Sequence, residues 1–230
     1  MTRPSASVYG VAAVLVALLA SLAAAQDTDP VKAAVRAVEQ SDPDAVDPNL
    51  IKGEVWTFDF RFDHPQPLVV TTPGGEKEVY WYLVYTVTSR APEEKTYIPT
   101  FTLFSDTASV RRAGVFPTVF EAIKSSRKIR FLENAVQMHG KVLPGDDNAR
   151  TGVAIFAPLD RDTDRFTIFC EGLSGQYIER PDPKAKPDTP ADEKVIRLRK
   201  TLAITYKLPG DRWWLNQDQP IFVSKKWTWR

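Results

Sequence analysis

Strict alternation of aromatic and polar residues is the feature that most constrains the fold of this 230-residue chain. Trp56, Phe58, Phe60 and Phe62 are each separated by a single polar residue. A period of two is that of a β-strand with one buried face, because successive side chains of a strand point to opposite faces. The run therefore predicts a half-buried strand with an aromatic inner face.

Further runs with strand periodicity follow along the chain. Residues 79–87 carry apolar side chains in both phases, which is typical of a central strand covered on both faces. In the run 97–104, Pro99 predicts an edge position or a bulge, because proline cannot donate a ladder hydrogen bond. More strand-like runs are expected at 136–142, 152–157, 165–171, 196–206, 221–223 and 227–229.

Helical spacing occurs in two places. Between residues 115 and 127 the apolar residues recur at intervals of three and four, which predicts a helix of about three turns that crosses between sheets. The same spacing in residues 31–38, directly after Asp29 and Pro30, predicts a short N-terminal helix.

These elements predict a mainly β fold. About eight short strands, separated by turn sequences, indicate an antiparallel β-sandwich of immunoglobulin-like type with one short crossing helix and the short N-terminal helix. A barrel is the alternative. The Cys…Trp…Cys pattern of antibody domains is absent, since the chain has one cysteine, so the interpretation concerns architecture alone.

The N-terminal residues predict export. Arg3, the uncharged apolar stretch 8–22 and the small residues at 23–25 form the pattern of a secretory signal peptide. We expect cleavage after residue 25 and a periplasmic or extracellular location. A second apolar run of the about 20 residues that a spanning helix needs does not occur, so no membrane insertion is expected after cleavage.

The remaining chain divides into a leader and one domain. We expect a leader helix and linker over residues 26–52 and a β-sandwich domain over 53–230. Residues 179–194 hold nine charged residues and four prolines, which predicts a mobile charged loop within that domain.

Charge and cysteine content exclude several kinds of partner. Without Arg3 the cationic and anionic residues are equal in number, so no nucleic-acid partner is expected. Cys170 has no second cysteine with which to form a disulfide or a thiolate metal site. It shares its strand phase with Phe166 and Ile168, which predicts a buried thiol.

Catalytic patterns are lacking. His64 and His139 have no metal-ligand partners at a recognisable spacing, and both are expected to face solvent. Residues 172–175 do not form a nucleophile elbow, and no glycine-rich phosphate loop occurs. We therefore expect a protein that is not an enzyme and holds no cofactor. A hydrolase with a dispersed site is the least favoured alternative, since triad members can be distant in sequence.

The acidic run Asp160, Asp162 and Asp164 is a weak metal candidate. With Glu171 at the twelfth position it resembles the spacing of a calcium loop. Arg165 occupies the sixth position, where the sharp turn needs glycine, and the following residues are those of a strand. A polar turn between two strands explains the aspartates more simply, so no metal site is predicted.

Three aromatic residues are candidates for binding. Adjacent residues in a strand face opposite sides, so one of Trp213 and Trp214 is a candidate for exposure, beside Tyr177 in another loop. The favoured alternative is that both indoles cap the ends of the sandwich core. Tryptophan and tyrosine anchor protein interfaces and also stack on sugars. The chain is interpreted as a non-catalytic protein-binding or structural module of the cell envelope. The alternatives are a carbohydrate-binding module with a polysaccharide partner or, less favoured, the hydrolase.

Overall fold

Alternating apolar side chains place most of the described chain in strands. A computed structural model describes residues 46–71, 74–186, 190, 194–210 and 219–230, and these are mainly β with antiparallel sheets. The predicted signal peptide, the predicted leader helix and the pair Trp213 and Trp214 lie outside the described residues.

The described elements comprise fourteen strands, one α-helix and two short 3-10 helices, Pro48–Leu50 and Asp146–Asn148. The helix is α1, Pro117–Arg127. In chain order the strands are β1 (Ile51–Thr57), β2 (Asp59–Phe62), β3 (Gln66–Thr71), β4 (Lys77–Thr88), β5 (Lys95–Tyr97), β6 (Thr100–Ser105), β7 (Val110–Arg112), β8 (Leu132–Glu133), β9 (Gly140–Val142), β10 (Arg150–Phe156), β11 (Arg165–Glu171), β12 (Ser174–Pro181), β13 (Val195–Lys207) and β14 (Ile221–Trp229).

The strands form two large open sheets and a small ribbon. The seven-stranded sheet has the order β1-β12-β13-β11-β6-β7, with β14 also paired to β13. The five-stranded sheet has the order β2-β4-β10-β8, with β3 also paired to β4, and β5 pairs with β9. Pairing between the strands is antiparallel except for the short β8–β10 contact. Within the described ranges neither sheet closes on itself, so the alternative of a barrel is wrong for this part of the chain.

One aromatic core joins the two large sheets. Inward side chains of β4 meet those of the other sheet: the Tyr85 and Phe101 ring centroids are 4.7 Å apart, and those of Trp81 and Phe166 are 5.6 Å apart. Cys170 points into the same core and is fully buried, as its strand phase predicted. The core is therefore built by side chains that alternate along strands of both sheets.

A second, smaller cluster covers the outer face of the five-stranded sheet. Val119, Phe120 and Ile123 of α1 pack there against the outward side chains Tyr82 and Val84. The helix therefore explains why β4 is apolar on its outward face as well. The prediction of a central strand is confirmed, because β4 pairs with β10 on one side and with β2 on the other. In chain order α1 leads from β7 in one sheet to β8 in the other.

The aromatic run 54–62 is not one strand. It divides at Phe58, whose N–H donates to the Leu173 carbonyl at 2.9 Å, into β1 of the seven-stranded sheet and β2 of the five-stranded sheet. Both halves face the same core, so the period of two continues through the change of sheet. The single predicted strand is wrong for this reason.

Three other strand predictions need correction. Pro99 separates β5 from β6, and β6 lies between β11 and β7 instead of at an edge. Of the predicted run 136–142 only Gly140–Val142 is a strand, because the Asn134 side chain accepts hydrogen bonds from two N–H groups of the preceding turn. The two runs at the end of the chain form one continuous strand, β14.

The predicted charged loop 179–194 joins β12 to β13, and its residues 187–189 and 191–193 lie outside the described part of the chain. Its first three residues belong to β12 and pair with residues 195–197 of β13. Glu179 there accepts from Lys52 of β1 at 2.5 Å and from Arg197 of β13 at 3.2 Å. These contacts hold the end of the β12–β13 hairpin that is next to the loop against the edge strand β1, which begins at Ile51.

Candidate functional site

A bulge in the edge strand β1 is the most distinctive local feature of the seven-stranded sheet. Residues 51–53 pair in register with β12, but the next pair is Thr57 with Ser174, so residues 54–56 fall outside the ladder. Bulges at sheet edges bend the strand and redirect its side chains, and they are common beside functional sites.

Two glycines make this bulge possible. Gly53 has a φ of +89°, and a Cβ atom there would lie 2.2 Å from the Gly175 carbonyl oxygen. At Gly175 a Cβ atom would lie 2.4 Å from Nε1 of Trp56. Because neither position accommodates a side chain, the sequence places glycine on both strands where the backbone of β1 approaches β12 most closely.

The bulge sends two neighbouring side chains in opposite directions. Val55 projects into solvent and is 88% exposed. Trp56 points inward and packs against the core, and the ring centroids of Trp56 and Phe58 are 4.9 Å apart. An exposed aliphatic side chain thus stands next to a half-buried indole at a sheet edge.

Trp56 lines two clefts. The larger has a volume of 450 Å³ and lies between the bulge and the segment that precedes β5. It is lined by Glu54, Val55, Trp56, Thr57, Arg90, Ala91, Pro92 and Lys95. The smaller has a volume of 320 Å³ and is lined by Trp56, Thr96, Ile98, Thr100, Glu171, Gly172, Ser174, Gly175 and Arg199. We call this pair of clefts with its bulge the Trp56 site.

Opposite charges lie close together at the larger cleft. The Lys95 ammonium donates to the Glu54 carboxylate at 2.8 Å, and the lysine side chain is only 18% exposed. The hydrogen bond and the charge of Lys95 lower the pKa of Glu54, and Glu54 raises the pKa of Lys95. Arg90 is held by Asp146, 2.7 Å away. Both charge signs are therefore presented around an apolar centre.

The described residues that line the Trp56 site do not include a binding residue predicted from the sequence. Trp213 and Trp214 lie outside the described residues. Tyr177 is in strand β12 and not in a loop, so that expectation is wrong. Its half-buried ring lies under the Arg197 guanidinium, 5.2 Å from it. It pairs with Lys52 of β1, on the same edge as the Trp56 site.

The acidic run precedes β11 as the predicted polar turn. Asp160 accepts from Thr107 at 2.9 Å and pairs with Arg111 at 3.4 Å. Glu171 lies at the far end of β11, which spans about 20 Å at the rise of a strand. In the part of the chain that the structure describes, no group of three or more His, Cys, Asp or Glu residues is arranged to hold a metal ion.

The two histidines and the cysteine have separate surroundings. His64 is largely exposed, with Nδ1 3.1 Å from the Tyr206 hydroxyl. His139 is also exposed and lies in the turn before β9, not in the strand where the periodicity placed it. Burial raises the pKa of the Cys170 thiol well above its ordinary value, so the thiol stays protonated and unreactive.

The sequence pattern predicts that Trp56 is a core residue but does not reveal that it also lines two clefts. Its strand phase does point inward, and the ring does pack against the core. The available signal was Gly53, since an isolated glycine in a strand-like run marks a bulge or a close backbone approach.

Comparison with protein-family models, with curated proteins and with solved structures finds no match to this chain. Among the described residues, no helix has both the length and the apolar character needed to cross a membrane.

Proposed function

We propose that this chain is an exported, non-catalytic module of the cell envelope that binds a protein partner at the Trp56 site. The observation that carries the proposal is the pair of clefts of 450 and 320 Å³ that share one half-buried tryptophan in their walls. The proposed scaffold is an antiparallel β-sandwich of immunoglobulin-like type, which the aromatic core shared by the two sheets supports.

The composition of the site favours a protein partner. Val55 and Ile98 are 88% and 54% exposed, and both belong to cleft walls. Interfaces place apolar and aromatic anchors at the centre and charged residues at the rim, and tryptophan and arginine are enriched among the residues that dominate affinity. Arg90 and Arg199 stand at the two clefts in this arrangement.

The alternative of a carbohydrate ligand has one observation in its favour. The smaller cleft combines the Trp56 indole with the polar side chains of Thr100, Glu171 and Ser174. Sugar recognition uses an aromatic face with hydrogen-bonding groups around it. Glycan binding that is lost in Trp56→Ala would replace the protein partner by a polysaccharide at the same site.

A site-specific cross-linking experiment tests the proposal. Benzoylphenylalanine replaces Val55 in one variant and Val110 in a control variant, in cells that produce the protein. Val110 is 47% exposed in β7, at the opposite edge of the same sheet. We expect a reproducible cross-linked protein from position 55 alone, and its loss when Trp56→Ala is added. The same products from both positions, or none from either, would contradict the proposal.

The export part of the proposal rests on residues 1–25 and is tested separately. We expect the protein to be recovered outside the cytoplasm with Gln26 as its first residue, as the signal-peptide pattern implies. Mass spectrometry of the recovered protein gives the cleavage point. A full-length chain in the cytoplasm would contradict export and leave the binding site untouched.

A further inference from the structure

The turn that follows α1 presents a second, unrelated surface. The helix ends at Lys128, which adopts the left-handed conformation with φ of +53° and donates its N–H to the Lys124 carbonyl at 3.1 Å. Ile129 then packs against the outer cluster, and Leu132 is buried in it. These two anchors on either side hold Arg130 and Phe131 in a fixed, outward position.

The outward residues are an aromatic ring and cations. Phe131 is 74% exposed, and the Arg130 guanidinium lies 5.1 Å from its ring centroid. Lys128 and Arg130 are exposed, and neither forms an ion pair with a described residue. Val136, 70% exposed, adds an apolar tip in the next turn, which Asn134 fixes through its side chain. We call residues 128–131 with Val136 the Phe131 turn.

The carboxylates near this turn leave its charge largely uncompensated. Asp63 is bonded to Arg127, and Glu133 is bonded to Arg150. Glu121 lies on α1, two turns before Lys128. The chain as a whole has a formal charge of only +1. Because Lys128 and Arg130 have no carboxylate partner among the described residues, this turn carries a local positive charge.

We propose that the Phe131 turn docks the protein on a membrane surface that carries anionic lipid headgroups. An exposed phenylalanine can enter the boundary between headgroups and acyl chains, while lysine and arginine beside it contact the anionic headgroups. The arginine stem also covers apolar surface while its head stays hydrated. The attachment is peripheral and reversible, because one ring and two cations do not supply a permanent anchor.

This inference does not depend on the proposed function. The Trp56 site lies at the edge of the seven-stranded sheet, whereas the Phe131 turn follows the helix that covers the five-stranded sheet. A failure of one leaves the other intact, since the variants that test them share no residue.

Vesicle sedimentation tests the docking surface. The protein is purified from the cells that produce it, in the form to which those cells process it. It is mixed with vesicles of phosphatidylcholine alone or with about 30% phosphatidylglycerol, at low and high salt. We expect binding to anionic vesicles to exceed binding to neutral vesicles by about tenfold at low salt and to disappear at high salt.

Matched variants separate this surface from general charge effects. We expect the double variant K128Q/R130Q to lower anionic-vesicle binding about tenfold or more, and F131S to lower it several-fold. The control K184Q/K207Q removes the same charge from other exposed positions and should leave binding unchanged. Thermal melting of each variant verifies the fold. Equal binding to both vesicle types, or a loss in the control as large as in K128Q/R130Q, would overturn the proposal.

Discussion

Two tryptophan-bearing strands, β4 and β1, both belong to runs with strand periodicity but have different structures. β4 runs for twelve residues, of which residues 81–87 pair in unbroken register with β10, and its Trp81 is fully buried. β1 leaves its ladder after three residues, and its half-buried Trp56 lines two clefts. The difference comes from the neighbours: β4 is enclosed by strands on both sides and by α1, whereas β1 pairs with β12 alone among the described strands. Alternation therefore specifies which way a side chain points, and the strand's place in the sheet decides what covers it.

The largest effect should come from removing the enclosed tryptophan. Trp81→Ala leaves a cavity between two sheets that cannot close around it, and we expect a loss of about 3–5 kcal/mol in the free energy of unfolding. Trp56→Ala removes a ring that solvent already reaches, and we expect about 1–2 kcal/mol. Chemical denaturation of both variants gives the two values. Equal losses would show that Trp56 is a core residue like Trp81.

The bulge itself is tested by giving Gly53 a side chain. Gly53→Ala places a methyl group against the Gly175 carbonyl at a strained φ, and we expect a loss of about 2–4 kcal/mol. Gly75→Ala is the control, because its φ of +84° is similar and no atom lies within 4 Å of the added methyl. Its loss should be about 1 kcal/mol, the cost of the conformation alone. Similar losses in the two variants would mean that β1 relaxes away from β12 without cost.

The sequence predicts the positions of strands that are enclosed like β4. It does not predict where an edge strand such as β1 leaves its sheet. Alternation and apolar content locate β10, β11 and β13 within two residues, since enclosed strands must be apolar on the faces that they bury. Phe58 cannot show where the chain changes sheets, because the side chains before and after it enter the same core. The Trp56 site was not predictable, since its walls come from segments 54–57, 90–100 and 171–175 and Arg199, which only the tertiary fold brings together.

The core that β4 shares with β11 should also make stability depend on pH. Because burial raises the pKa of the Cys170 thiol, the folded protein keeps a proton that the unfolded chain loses above an ordinary pKa of 9.0. Unfolding then releases a proton, so stability falls as pH rises, by about 1 kcal/mol at pH 10. Cys170→Ala should remove this part of the slope, as measured by denaturation between pH 8 and pH 10 (both values about one unit from that pKa). An identical slope in the variant would contradict this contribution of Cys170.

The smallest effect belongs to the ion pair beside the β1 bulge. Lys95 lowers the pKa of Glu54, so the pair stabilises the fold above the unfolded-state pKa of the carboxyl and ceases to do so as pH falls through the lower, folded-state value. Solvent screens such a pair, since the Glu54 side chain is 70% exposed. We expect Lys95→Gln to raise the Glu54 pKa toward its ordinary value in an NMR titration, while thermal stability near neutral pH hardly changes.

Lys141→Gln, which breaks the exposed pair with Glu94, is the control and should leave the Glu54 pKa unchanged. If Lys95→Gln also left the Glu54 pKa unchanged, Lys95 and Glu54 would not form a pair at the cleft. The bulge would then distinguish β1 from β4 in register alone. A raised pKa would show instead that Lys95 holds its charge against Glu54 at the cleft that Trp56 lines.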